Sequence, residues 1–479
     1  MSADPITRLA RATLLAPFPG ATAPRWLLDE LEQGLGGVTL FALNGNVPST
    51  EELTALTAQL REASDPVITI DEEGGDVTRL AHLTGSPYPG NAALGAVDDV
   101  ELTRLVHRSI GAELSAAGVN MDFAPSVDVN SADDNPIIGI RAFGSDPALV
   151  ARHAAAAVTG LQEAGVAACA KHFPGHGATL GDSHLGLPVV DADLDLLDRR
   201  ELVPFRAAIE AGTHAIMTAH IMLPHLTGTD PATLSHAAIT GLLRERLGYQ
   251  GVIVTDALDM HGASGVIGIP EAAVRALAAG ADLLCLGSRE YADSVHAILA
   301  AIVAAARSGR LPVERLEEAA ERTARLSAWL AGGRPAVIDR AVGLAAARRA
   351  VRLTGELSPV RSPLIVELEA PGNIAVGPVP WGLSPWAADA VRVDGATADA
   401  AELLGRAADR SLVIVVRDAH RHAEQRAFAG ALLSARPDAV VVEMGLPIWQ
   451  PGSATHLATY GASHAAGQAA AELLGLTAR

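Results

Sequence analysis

Lysine is all but missing from this chain: of 36 lysines and arginines in 479 residues, one is a lysine, Lys171. Positive charge as a whole is short too. The 55 acids leave a formal charge of −19 with no basic run, so a phosphate backbone would be repelled over most of the surface and nucleic acid is excluded as a partner. Only two cysteines occur, Cys169 and Cys285, each inside a short apolar run, which excludes a disulfide framework and fits reduced core thiols. No stretch approaches the ~20 apolar residues that span a bilayer, so a membrane is not an expected partner. Near the N-terminus Pro17 stops a short apolar run at 14–16, so no basic n-region leads into an uninterrupted apolar stretch; the expected location is the cytoplasm. Aromatics supply only 3 % of residues, so the core must be packed with Ala, Val and Leu.

What is present points to an α/β protein. Nearly half of the residues are apolar and 46 are glycine, enough for a large core with many tight turns. Apolar runs at 38–41, 67–70, 119–123, 166–170, 214–218, 252–255 and 282–286 alternate with stretches of helical period at 100–117, 148–164, 237–247, 271–279 and 291–306. Continuous apolar strands alternating with helices call for a parallel sheet covered on both faces. Seven or eight such units predict a (β/α)8 TIM-like barrel over 1–330, then a linker with a helix over 331–362. A smaller α/β sandwich-type domain is predicted over 363–479, with strands at 364–368, 411–416 and 439–443.

The polar residues favour a barrel over an open sheet. Asp71, Asp122, Lys171, His172, His220 and Asp256 each fall at or just beyond the C-terminal end of a strand, the face where barrel active sites are built. An open sheet would gather its ligand residues chiefly at one switch point.

Three patches carry candidate chemistry. Asp71-Glu72-Glu73-Gly74-Gly75 directly follows a strand, and its glycine pair permits a turn that other residues resist. A surface acidic turn and a residue aimed into the barrel mouth both fit Asp71. The second patch is Lys171-His172-Phe173-Pro174-Gly175-His176-Gly177 with Asp182-Ser183-His184. His172 and His176 have the spacing of a helical metal pair, but Pro174-Gly175 breaks the helix that would align them, so no metal is expected. Asp182 lies two residues from His184, where it can fix the imidazole tautomer and leave the other nitrogen free for proton transfer. In the third patch Asp256 ends a buried strand. It can cap the following helix or attack as a nucleophile, because double displacement at an acetal needs one attacking carboxylate and one group acting first as acid, then as base.

These segments, with Phe123-Ala124-Pro125-Ser126-Val127-Asp128, Arg141-Ala142-Phe143-Gly144 and Thr255-Asp256-Ala257-Leu258, resemble bacterial β-N-acetylhexosaminidases of glycoside hydrolase family 3. The resemblance runs in order over about residues 25–300. It implies that Asp256 is the nucleophile, His184 the general acid/base and Asp182 its orienter. By the same resemblance Asp71, Arg79, Arg141, Lys171 and His172 hold a terminal N-acetylglucosamine. Compared with the family pattern, Glu72 replaces a glutamine and Asp76 an arginine, adding negative charge near the expected sugar pocket; Thr255 and Ala257 also differ.

The expected reaction needs no cofactor: retaining, exo-acting hydrolysis of a small carbohydrate substrate through a glycosyl-aspartate. A rival reaction changes only the acceptor. A histidine base is uncharged after giving up its proton, so phosphate can approach the intermediate and the enzyme would be a phosphorylase. Further from this chemistry stand a barrel lyase or aldolase using Lys171 as a Schiff base and a non-catalytic sugar-binding protein. Neither gives roles to Asp182, His184 and Asp256.

Overall fold

The computed structural model describes residues 4–289, 291–334, 336–452 and 454–476. The first sheet is a parallel barrel of eight strands: β1 (Leu14–Ala16), β2 (Gly37–Thr39), β3 (Val67–Ile70), β4 (Met121–Asp122), β5 (Ala167–Phe173), β6 (Ala215–Thr218), β7 (Val252–Thr255) and β8 (Leu284–Cys285). Neighbours pair in chain order from β1 to β7, β8 pairs with β1, and a bridge between Val254 and Leu283 closes the ring. The expected TIM-like fold is therefore present, with one strand more than the apolar runs disclosed. β1 is the three-residue stretch stopped by Pro17, too short to register as a run.

Every residue of these eight strands is buried. Leu15, Val67, Met121, Ala167, Cys169, Ala215, Met217, Val252, Val254 and Cys285 form one apolar cluster. Both cysteines are free and lie within it. At the start of β8 the buried Asp282 gathers Arg244, Arg315 and Arg322 and accepts from Ile253 N. Charge at that N-terminal end of the strands is spent on structure.

The chain divides into two compact units. One comprises residues up to Glu72, Thr103–Ile138 and Ser145–Ile338; the other comprises Glu73–Leu102, Gly139–Gly144 and everything from Asp339 on. The helix Arg340–Ala350 leads straight into β9 (Arg352–Thr354), which joins the second sheet. The departure of the chain at Glu73 is a matter of backbone freedom: Gly74 and Gly75 have φ of 74° and 63°, and a Cβ on Gly75 would collide with the Gly90 backbone.

The second sheet adds β10 (Leu364–Leu368), β11 (Ala390–Val393), β12 (Leu412–Val416), β13 (Val440–Glu443) and β14 (Thr455–Ala458). Its order is β11-β10-β12-β13-β14-β9, parallel except for the antiparallel edge strand β9. Separate apolar clusters cover its two faces, the arrangement that makes its central strands read as unbroken Val/Ile/Leu runs.

Candidate active site

The lone lysine sits on an irregularity. Along β5 and β6, Ala170 pairs with Ile216 and Phe173 with Thr218, so Lys171 and His172 together oppose one residue. Such a bulge re-aims side chains that plain alternation would send to opposite faces. Lys171 is 1 % exposed, and its Nζ donates to Asp71 Oδ1 at 2.7 Å. The Lys171–His172 peptide is cis.

Asp122, at the end of β4, accepts from Glu72 N at 2.9 Å, while its other oxygen is buried without a partner. Burial pushes its carboxyl well above the usual range, and Glu72 adds to the effect. Asp122 thereby orders the turn that carries Asp71.

Asp128 organises the histidine loop. Its Oδ2 receives His172 Nδ1 at 2.7 Å and Ser126 Oγ at 3.0 Å; its Oδ1 receives His176 N at 2.6 Å and His172 N at 3.3 Å. Burial opposes the charge of Asp128, yet His172, His176 and these bonds hold its carboxyl below the ordinary value. Gly177 completes the loop, since a Cβ there would collide with Val129 O.

His176 is held neutral, its imidazole lowered to about 4 by burial and by His172. Thr179 Oγ1 donates to His176 O at 3.0 Å, so it accepts from Nδ1 at 2.8 Å, which leaves Nε2 to accept from Ser183 Oγ at 3.1 Å. Both ring nitrogens are engaged, which leaves neither for a metal. Among the described residues no group of three or more His, Cys, Asp or Glu side chains is arranged as a metal site.

Through Ser183 the loop reaches the predicted dyad. His184 Nδ1 lies 2.6 Å from Asp182 Oδ1, which also accepts His184 N at 2.9 Å. The Asp182 carboxyl is lowered by these bonds against an opposing burial effect. Ser183 O accepts from Gly262 N at 3.1 Å, which ties the dyad segment to the turn after β7.

Asp256 opens that turn. Its Oδ1 accepts from Ala257 N at 2.8 Å. Burial would raise its carboxyl, but His220, His172 and His184 together keep it below the ordinary 3.8, so it is ionised at neutral pH. His220 is buried, which lowers its imidazole from the ordinary value against the opposing pull of Asp256; its Nε2 donates to Ala257 O at 2.9 Å, and Thr233 Oγ1 lies 2.8 Å from Nδ1. His220 thus holds the turn that presents Asp256.

The first unit therefore brings together Asp71 with Lys171, His172 with Asp128, and Asp182 with His184, beside Asp256. Arg79 and Arg141 belong to the second unit. There Arg141 forks onto Glu73 at 2.7 and 3.0 Å, both side chains buried, and Arg79 donates to Ala375 O at 2.7 Å. Asp76, where the sequence adds an acid, is paired with Arg417 at 2.6 Å and accepts Ala462 N at 2.7 Å. Sequence reasoning missed Asp128 and His176 as organisers, and Glu201 beneath the loop. The signal for Asp128 was its place in the segment 123–128; Glu201 offered none beyond its own charge.

Residues 21–326 match the profile of the glycosyl hydrolase family 3 N-terminal domain. β-Hexosaminidase A of Pseudoalteromonas piscicida is 38 % identical over 323 residues, 62 % of this chain and 54 % of that protein. β-Hexosaminidase LpqI of Mycobacterium tuberculosis is 40 % identical over 264 residues, 54 % of this chain and 66 % of that protein. The alignments thus span about half to two thirds of these relatives. A solved glycoside hydrolase family 3 β-N-acetylglucosaminidase from Paenibacillus sp. FPU-7 superposes with a TM-score of 0.90 at 34 % identity, covering 98 % of this chain and 97 % of that one.

Proposed function

The chain belongs to glycoside hydrolase family 3, and from that premise we propose that it is a retaining, exo-acting β-N-acetylglucosaminidase acting on small glycosides such as cell-wall fragments or chitin oligomers. The observation that carries this reading is the hydrogen bond from Gly262 N to Ser183 O. It couples an Asp–His pair suited to moving a proton to the turn that holds an ionised carboxylate.

Asp256 Oδ2 attacks the anomeric carbon, since Oδ1 is engaged by Ala257 N. As the C–O bond breaks, protonated His184 gives its Nε2 proton to the departing oxygen. His184, now neutral, takes a proton from the incoming water, which displaces Asp256 and returns the site to its starting state. Asp182 keeps the imidazole oriented and stabilises its charged form. Lys171, Asp71 and His172 hold sugar hydroxyls; the ammonium supplies three donors in a space where a planar guanidinium would not fit the same partners.

The test is turnover of 4-nitrophenyl β-N-acetylglucosaminide beside the corresponding β-glucoside, with and without phosphate. Rapid release from the first substrate, free N-acetylglucosamine as product and no sugar 1-phosphate are expected. A sugar 1-phosphate formed only when phosphate is present would make the enzyme a phosphorylase. Absence of turnover with retained N-acetylglucosamine binding would make it a binding protein.

A further inference from the structure

The histidine loop rests on a carboxyl that the proposed reaction does not use. Glu201 stands at the joint between the helices Leu194–Arg199 and Leu202–Glu210, at the N-cap of the second. An acid at that place is ordinarily drawn to the free N–H groups of the first turn, yet Glu201 makes no side-chain cap. It is turned to the loop instead. A Cβ built on Gly175 would lie 2.7 Å from Glu201 Cβ, 3.0 Å from its Cγ and 3.2 Å from its Oε2. Gly175, with φ of 126°, lets the loop lie directly on the carboxyl.

Glu201 is 1 % exposed. Its Oε1 accepts from Arg200 Nε at 2.6 Å, while Oε2, the oxygen against Gly175, is buried with no partner among the described residues. Two charges act on this carboxyl. The partly exposed guanidinium of Arg200 favours its ionisation, and Asp128 across the loop opposes it. Burial outweighs Arg200 and pushes the carboxyl up to about 7. The titratable groups of the loop itself are His172 and His176, and both lean on Asp128 through His172 Nδ1 and His176 N.

The neutral acid leaves these bonds undisturbed. An ionised Oε2 faces a loop whose Gly175 N–H already serves His172 O at 2.7 Å, so the charge must draw that N–H away or admit water. It also repels the Asp128 carboxylate that holds both histidine segments. His176 Nε2 in turn meets Ser183, between the two members of the dyad. We propose that Glu201 is a positioning residue whose neutral form seats the histidine loop for sugar binding and whose ionised form unseats it. That the seated loop serves a glycosidase rests on the proposed activity.

The pH profile of kcat/KM on 2,4-dinitrophenyl β-N-acetylglucosaminide tests this, because departure of that group needs no proton and the acid role of His184 drops out of the profile. In the parent, kcat/KM should fall about tenfold between pH 6 and pH 8.5. Glu201→Gln has the shape of the neutral acid and cannot ionise; it should hold its pH 6 value across that range, and Glu201→Asp should restore a fall. Equal falls in the parent and in Glu201→Gln, or a loss in Glu201→Gln by one factor at every pH, would overturn the proposal. A second readout needs no turnover. His176, lowered to about 4, does not itself titrate above pH 6, so a step near pH 7 in its imidazole nitrogen-15 shifts reports a neighbour. The step should be present in the parent and absent from Glu201→Gln. A parent without it, read whether or not any variant folds, would overturn the proposal. An inactive parent whose step still disappears in Glu201→Gln would instead refute only the proposed activity.

Discussion

Ser183 and Gly262 meet backbone to backbone, carbonyl to amide, at 3.1 Å. One of these residues lies between Asp182 and His184; the other lies six positions beyond Asp256. The pair fixes the reach of the imidazole relative to the carboxylate more directly than any side-chain contact, and Gly262 has no room for a Cβ: one would lie 2.9 Å from Gly186 O, 3.0 Å from Ser183 O and 3.1 Å from His220 Cβ.

Gly262→Ala should therefore push the dyad segment away while leaving every reacting group in the chain. Displacements of this size cost up to roughly 10²-fold. The loss should fall on kcat, with KM little changed, and be larger for alkyl than for 4-nitrophenyl glycosides, because proton donation is what a misplaced His184 fails to do. Steady-state kinetics on both substrates would show it; an equal loss on both would assign the damage to Asp256 instead.

Removing the proposed nucleophile and the proposed acid/base gives a sharper contrast. Asp256→Ala should lower kcat on every substrate by on the order of 10⁴-fold or more. His184→Ala should cost roughly 10²–10⁴-fold on poor leaving groups and much less on 2,4-dinitrophenyl glycosides, whose departure needs no proton. Added azide should rescue the second step of His184→Ala and yield a β-glycosyl azide, detectable by mass spectrometry and NMR. Equal losses on activated and unactivated substrates would remove His184 from the acid role.

Much of the barrel and most of its rim were legible because they follow from local rules. Val67–Ile70, Ala215–Thr218 and Val252–Thr255 are buried strands that read as apolar runs, and Asp71 and Asp256 end two of them. β1, β9, β11 and β14 escaped notice for physical reasons. β1 has three residues, β9 is fully exposed, and β11 is an edge strand whose Arg392 serves an ion pair with Glu367. β14 follows a loop rich in turn residues and includes a histidine. Asp128 was visible as the acid closing the segment 123–128, but its role depends on partners 44 and 48 residues away. Arg141 and Glu73 were visible as charges 68 apart, whereas their fork could not be read without the fold.

Lys171 offers a test of the scarcest residue. Lys171→Arg keeps the charge and matches the composition of the chain, yet guanidinium is planar and wider than the ammonium that meets Asp71 at 2.7 Å. With the side chain 1 % exposed there is little space to accommodate the change. We expect a loss of on the order of 10² in kcat/KM, shared by Lys171→Met, with the melting temperature of Lys171→Met falling further because Asp122 and Asp71 lose the nearby positive charge. Activity of Lys171→Arg within a few-fold of the parent would reduce the lysine to a generic counter-charge.

Glu201 makes the stability of this region depend on pH in a direction opposite to most carboxylates. It is 1 % exposed, and a Cβ on Gly175 in the histidine loop would lie 2.7 Å from its own Cβ. Its Oε1 accepts from Arg200 while Oε2 is buried without a partner. Burial, partly offset by Arg200, pushes the carboxyl up from 4.5 to about 7. Below pH 4.5 it is neutral in both folded and unfolded chains and carries no penalty. As pH rises from 4.5 to 7 the unfolded chain loses this proton first, so stability falls, and above pH 7 the whole penalty of ~3 kcal/mol stands. His176 and His107, lowered to about 4 by burial, act with the opposite sign between pH 4 and 6.5, because there the unfolded chain holds the extra protons. Glu201→Gln cancels those shared contributions when compared with the parent at each pH. The variant should match the parent in urea denaturation near pH 4.5 and exceed it by up to ~3 kcal/mol at pH 8; a difference that stays constant with pH would show that Glu201 carries the same charge in the folded and unfolded chains.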